Sequence, residues 1–175
     1  MPNIRSISTQ GSSLHPVVRE LCSEISKRYS SKLTKLSSSI PLAVPRKLIF
    51  TSLTCVNIDL KHIHDFEMPR ISAETIVSLQ ISGNMNNLNW SLFSVETSVD
   101  VVVLPNLLYL TLDLVYKKNP YGSSYDLEPL QQKAYLPRLK RLKLSTTTSE
   151  CRFFKVTRLP SKMDSLRVVA PSLVI

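Results

Sequence analysis

Glycine is nearly absent from this chain, at 3 of 175 residues, which removes the Gly-rich loops that cradle phosphate groups. Cysteine is as rare, and Cys22, Cys55 and Cys151 are odd in number, far apart and in no CxxC pairing. They suggest neither a disulfide framework nor a zinc site, and read as small buried hydrophobes. No apolar run approaches the roughly 18 to 20 residues that a membrane helix needs. The opening MPNIRSISTQGSS lacks the apolar core of a secretory signal, so an intracellular, cytoplasmic or nuclear, setting with no membrane partner is expected. GxSxG, HExxH and a nucleophilic Cys with a partner His are missing as well, so neither an enzyme nor a bound cofactor is expected.

Against these absences stand 11 prolines in a chain that is 43% hydrophobic and 20% charged, a composition that fits one globular domain over residues 1–175. The prolines recur inside a phrase: an apolar residue, Pro, then Leu-x-x-Leu-x-Leu. LPNLLYLTLDL begins at Leu104 and LPRLKRLKLST at Leu136. Looser copies are MPNIRSIST at Met1, SKLTKLSSS at Ser31, TSLTCVNIDL at Thr51, ETIVSLQISGN at Glu74 and LPSKMDSLRVV at Leu159. Their first apolar positions, Ile4, Leu33, Leu53, Ile76, Leu107, Leu139 and Met163, are separated by 29, 20, 23, 31, 32 and 24 residues.

These intervals cluster around the repeat length of leucine-rich repeats, about 20 to 29 residues, with the two longest absorbed by outer loops. Leu-x-Leu points both leucines to one face of a strand, and the Leu three residues earlier closes the corner behind them. One such unit buries too little apolar surface to offset the entropy of ordering it, so only stacked neighbours are stable. The fold class expected is α/β: an irregular leucine-rich-repeat solenoid with a parallel concave sheet and helices or loops on the convex side. Strands are predicted near residues 5–9, 54–59, 77–82, 108–113, 140–145 and 165–169. A helix is predicted over 16–30, with Val17, Val18, Leu21, Cys22, Ile25 and Tyr29 at helical spacing behind His15-Pro16. A short helix in YDLEPLQQKAYL would turn Leu127, Leu130 and Ala134 inward, while SGNMNNLNW reads as loop. An ordinary α/β domain with parallel strands is the alternative.

On the phrases LPNLLYLTLDL, LPRLKRLKLS and MPNIRSIS, the chain resembles the leucine-rich-repeat region of fungal F-box-like proteins. The resemblance covers essentially the whole chain. It implies a non-enzymatic protein-binding scaffold: in that family an F-box docks onto a ubiquitin-ligase core and the repeats hold the protein to be modified. No F-box segment is read in these residues. The family's repeat also carries Asn or Cys three residues after its last Leu; Asn84 fits, whereas Lys61, Val115, Thr147 and Pro171 depart from it, so an irregular coil is expected. The chain opens inside one phrase at Met1-Pro2-Asn3-Ile4 and stops as another apolar-Pro phrase starts at Ala170-Pro171. It is therefore expected to be part of a longer solenoid, prone to self-association at its uncapped ends.

Residues flanking the leucines are expected to face the concave side. Their central row runs Ser8, Ser37, Asn57, Gln80, Thr111, Lys143 and Arg167, and the rows beside it include Cys55, Tyr109 and Arg141, and Asp59, Asp113 and Ser145. Tyr109, Thr111, Asp113, Arg141, Lys143 and Arg167 are the candidate partner-binding residues. Net charge is +9, divided as +6 over residues 1–50, −5 over 51–115 and +8 over 116–175. The acidic centre and the lack of an aromatic platform argue against a uniform nucleic-acid stripe, and an anionic-ligand or nucleic-acid binder using the basic C-terminal region is the second reading. A solvated basic face with no ligand is the plainer one. His62-x-His64-Asp65 reads as a surface loop, since no third and fourth metal ligand stand at recognisable spacing. Asn89-Trp90-Ser91 fits a glycosylation acceptor, a site out of reach of that machinery for an intracellular chain.

Overall fold

A computed structural model describes residues 4–10, 16–39, 48–59, 70–84, 101–115, 133–146, 155–158, 160 and 162–169. In chain order the elements are β1 (Ser6–Thr9), α1 (Pro16–Tyr29), β2 (Lys35–Ser38), β3 (Ile49–Phe50), β4 (Cys55–Asp59), β5 (Arg70–Ile71) and β6 (Ser78–Asn84). They continue with β7 (Val101–Val103), β8 (Tyr109–Val115), β9 (Lys133–Tyr135), β10 (Arg141–Thr146), β11 (Lys155–Arg158) and β12 (Ser165–Val169).

The architecture is α/β: one parallel sheet of seven strands, with a single helix among the described residues. The sheet runs β1-β2-β4-β6-β8-β10-β12, so every strand pairs with the one from the next unit along the chain. Its register repeats the intervals of the sequence phrase. Ser6 faces Lys35, Lys35 faces Cys55, and Cys55 faces Ser78. Ser78 faces Tyr109, Tyr109 faces Arg141, and Arg141 faces Ser165. A shared hydrogen-bond device sets that register: one carbonyl just ahead of each strand accepts two successive amides of the next. Arg5 serves Thr34 and Lys35, Val77 serves Leu108 and Tyr109, and Lys140 serves Asp164 and Ser165.

Alternation along the strands then builds the core. The first apolar position of each phrase is buried completely at Leu33, Leu53, Ile76, Leu107 and Leu139. Behind it two further rows close the interior: Ile7, Leu36, Val56, Leu79, Leu110 and Leu142, then Ile58, Ile81 and Leu112. At the N-terminal end the second row holds hydroxyls instead of methyls. Thr9 and Ser38 are buried there with their oxygens 2.8 Å apart, the pairing that makes buried hydroxyls tolerable. β6 passes through Gly83 at φ 111°, a left-handed conformation in which any Cβ would be strained.

Proline's role is to turn the corner into the main strand. In Leu104-Pro105-Asn106-Leu107 the Leu107 amide donates to the Leu104 carbonyl, and in Leu136-Pro137-Arg138-Leu139 the Leu139 amide donates to that of Leu136. Both are four-residue turns with Pro second, where its fixed φ is already correct.

The return segments differ from the expectation of helices or loops. Five short strands precede five of the main ones, β3 pairing with β5, and β9 lying between β7 and β11, all parallel. Ala134, expected on a helix, lies in β9. Two causes suit strands here: runs such as Val101-Val102-Val103 are β-branched, and a strand spans the molecule in fewer residues than a helix. On α1 the expected inward stripe is also displaced. Val17 and Leu21 are exposed, while Cys22, Ile25 and Tyr29 pack half-buried against the core beside buried Ser23 and Ser26. That stripe, 22-25-26-29, has the helical period, and positions 17 and 21 fall to one side of it. β6 and β8 run on to Asn84 and Val115, the places where the familiar repeat turns. Leu127, Leu130, His62, His64, Asp65 and the Asn89-Trp90-Ser91 triplet lie outside the described residues.

Candidate functional site

The leucine rows occupy one side of the seven-stranded sheet, which leaves the other side to the alternate residues. The register places Ser8, Ser37, Asn57, Gln80, Thr111, Lys143 and Arg167 in one continuous row on that open side. Every member is exposed or half-buried. A second row includes Cys55, Tyr109 and Arg141, and a third carries Asp59, Ser82, Asp113 and Ser145. All six candidate residues thus sit on one face, on the three adjacent strands β8, β10 and β12.

Within that face the basic residues are close neighbours. Lys143 of β10 is the register partner of Arg167 on β12, so their backbones are about 4.8 Å apart, and Arg141 lies two residues along β10 on the same side, about 6.6 Å away. All three are exposed. Among the described residues Lys27 and Glu24 on α1 form an ion pair, and none of these three cations is in one with a described carboxylate. Arg141 does have an aromatic neighbour: its guanidinium carbon is 5.6 Å from the centroid of the Tyr109 ring, within the range of a cation–π attraction.

Asp59 and Asp113 share a row but are separated by Ser82 on β6. Two strand spacings, about 10 Å, are too wide for a carboxylate pair acting on one glycosidic bond with a covalent intermediate. No group of three or more His, Cys, Asp or Glu side chains that could hold a metal ion occurs among the described residues. No helix among them is long and apolar enough to cross a membrane.

The central row therefore grades along the stack, from hydroxyls on β1 and β2, through amides on β4 and β6 and a hydroxyl on β8, to cations on β10 and β12, while Lys35 of β2 adds an exposed cation in the second row. The Tyr109–Arg141 stack was not foreseen as a contact, although both residues open adjacent copies of the phrase; spacing places them in one row and says nothing about side-chain rotamers. A second feature missed by the phrase lies at the corners. Asn106 Nδ2 donates to the Glu74 carbonyl at 2.7 Å, and Arg138 Nη1 donates to Asn106 Oδ1 at 2.9 Å. The residue after Pro in LPN and LPR carried that signal. Compared with known proteins, the chain matches no family model, no curated protein and no solved structure.

Proposed function

We propose that this chain is a leucine-rich-repeat solenoid that binds a protein partner on the open, concave face of its seven-stranded sheet. The observation that carries the reading is the sheet register, whose steps reproduce the spacing of the Leu-x-x-Leu-x-Leu phrase in every unit. A stack of this kind holds a broad polar surface on a rigid backbone, a surface suited to recognition rather than bond-making. The partner contacts Tyr109, Thr111, Asp113, Arg141, Lys143 and Arg167. With the resemblance to the repeat region of fungal F-box-like proteins, the specific form of the proposal is the substrate-holding part of a ubiquitin-ligase adaptor, inside the cell.

A second reading is favoured by the cluster of Arg141, Lys143 and Arg167: the face takes an anionic ligand or nucleic acid. One experiment separates the two. The full chain and the double variant Arg141→Glu, Lys143→Glu are immobilised and exposed to native cell extract, with and without nuclease. The protein-binding reading expects proteins, ligase-core subunits among them, that survive nuclease and are lost from the double variant. Retention of only nuclease-sensitive material transfers the conclusion to nucleic acid, and equal retention by both forms rejects the face. The loss in the double variant is expected to shrink as salt rises towards about 0.5 M, where the Debye length has fallen to about 4 Å.

A further inference from the structure

The corners where the main strands begin carry a row of their own. The residue just ahead of each phrase's first apolar position is Lys32, Ser52, Thr75, Asn106, Arg138 and Lys162 in successive units. Ser52 and Thr75 turn their hydroxyls onto nearby carbonyls, those of Ser31 and Ser72. Asn106 instead reaches the unit on either side. Its Nδ2 donates to the Glu74 carbonyl at 2.7 Å, which leaves Oδ1 turned the other way to accept Arg138 Nη1 at 2.9 Å.

That contact uses one of the guanidinium's five N–H groups. The edge made by Nε and Nη2 is left whole, and no bond from Arg138 to another described residue occupies it. An exposed arginine ordinarily keeps rotamer freedom that a ligand must freeze on binding. Here Asn106 has already set the fork. Lys162 stands next to Arg138 in the following unit, as Arg138 stands next to Asn106. Both cations are exposed, and neither is in an ion pair with a described carboxylate. Two residues further along, Lys140 and Asp164 are neighbours of opposite sign, the Lys140 carbonyl accepting the Asp164 amide, so they add no net charge. Arg138 and Lys162 thus leave two positive charges side by side. Beyond them the row is neutral through Asn106, Thr75 and Ser52, with the exposed Glu74 beside it, so no cationic stripe continues for a nucleic-acid backbone to follow. A planar fork flanked by an ammonium suits a compact pair of carboxylates, the first of them held bidentately.

We propose that the corner formed by Asn106, Arg138 and Lys162 is a docking site for an acidic peptide segment of a partner protein. One carboxylate lies in plane against the Nε and Nη2 edge of Arg138, and the next meets Lys162. Asn106 is the positioning residue, since it acts through the guanidinium it holds. The site lies on the rim where the strands begin and uses none of the candidate residues of the open face. It therefore goes beyond the function proposed for that face and stands or falls separately from it.

The test uses the full chain and the end-blocked peptide Gly-Ser-Glu-Ser-Glu-Ser-Gly with an uncharged fluorophore. Binding is read by anisotropy at about 0.15 M salt, where the Debye length is about 8 Å. Saturable binding is expected, weakened about tenfold or more, the equivalent of about 1.4 kcal/mol, when both peptide glutamates are replaced by glutamine. Arg138→Gln and Arg141→Gln each remove one positive charge, and only Arg138→Gln is expected to weaken binding about tenfold. Arg138→Lys keeps the charge without the fork, and Asn106→Ala keeps both without the orientation; each is expected to weaken binding about threefold or more. Circular dichroism establishes that the variants are folded, and Arg138 is exposed, so its replacement leaves the interior intact. Absence of saturable binding overturns the proposal, as does full affinity in Asn106→Ala or Arg138→Lys. Equal losses in Arg138→Gln and Arg141→Gln overturn it too, because net charge alone would then hold the peptide. Tighter binding of a single-stranded oligonucleotide of equal charge, lost in Arg138→Gln, overturns it in favour of nucleic acid at this corner.

Discussion

The Arg141 guanidinium carbon lies 5.6 Å from the centre of the Tyr109 ring, and the two residues are register partners on β10 and β8. Both side chains are exposed, so the attraction is expected to be about 0.5 to 1 kcal/mol. A double-mutant cycle with Tyr109→Leu and Arg141→Ala, read from urea unfolding, should return a coupling of that size. Coupling indistinguishable from zero would mean the stack is not maintained in solution. Its consequence for the binding face is geometric: stacking limits where the guanidinium points, so Arg141→Lys should weaken partner binding although charge is kept.

Burial falls steeply along the row Leu110, Leu142, Leu166. Truncation to Ala is expected to cost about 2 to 5 kcal/mol at Leu110 and at Leu142, because each fills the stack between neighbours. At Leu166 the cost should be under about 1 kcal/mol, since its side chain gives up little burial. The denaturation midpoints of the three variants give the comparison. A large loss at Leu166 would show that its side chain is covered in solution.

The main sheet was legible because its determinants are local and repeated. The phrase from Leu104 and the phrase from Leu136 fix which residues alternate inward, and their spacing is the register itself. β2 shows the limit: its phrase at Ser31 is plain, yet with three serines after Leu36 it does not read as a strand. The second set of strands was illegible for a different reason. β3 and β5 are two residues each, too short for any period, and they are strands only because the parallel stack brings them side by side. The candidate face was legible in outline, as rows of residues, but the Tyr109–Arg141 stack and the exposure of β12 depend on rotamers and on what ends the sheet. On α1 the apolar content pointed to the right helix and a wrong stripe, because Ser23 and Ser26 occupy places that a hydrophobic pattern reserves for methyls.

At the corners, Asn106 links two turns, donating to the Glu74 carbonyl and accepting from Arg138. Asn106→Ala removes both bonds and is expected to cost about 1 kcal/mol, the ordinary net worth of such contacts at a solvated site. Arg138→Ala alone should cost less, and added to Asn106→Ala it should cost almost nothing further, because its partner is already gone. Full additivity would show that Arg138 acts through some other contact.

The buried side of α1 supplies a prediction of opposite sign. Ser26 is fully buried, and its hydroxyl oxygen has no hydrogen-bond partner among the described residues. Partial burial also raises the pKa of the Cys22 thiol, one helical turn away, above its ordinary value. A hydroxyl stripped of water and left unpaired costs about 1 to 3 kcal/mol, and serine in a helix interior costs roughly 0.5 kcal/mol relative to alanine. Ser26→Ala removes both penalties at the price of a very small void. The variant is therefore expected to be more stable by about 1 to 2 kcal/mol, seen as a higher urea midpoint at unchanged slope. Ser26→Val should give less or reverse the gain, since its branched side chain must fit against the core and loses rotamer freedom in the helix. A lower midpoint for Ser26→Ala would show that the hydroxyl finds a partner in solution, and that the helix packs more wetly than this arrangement implies.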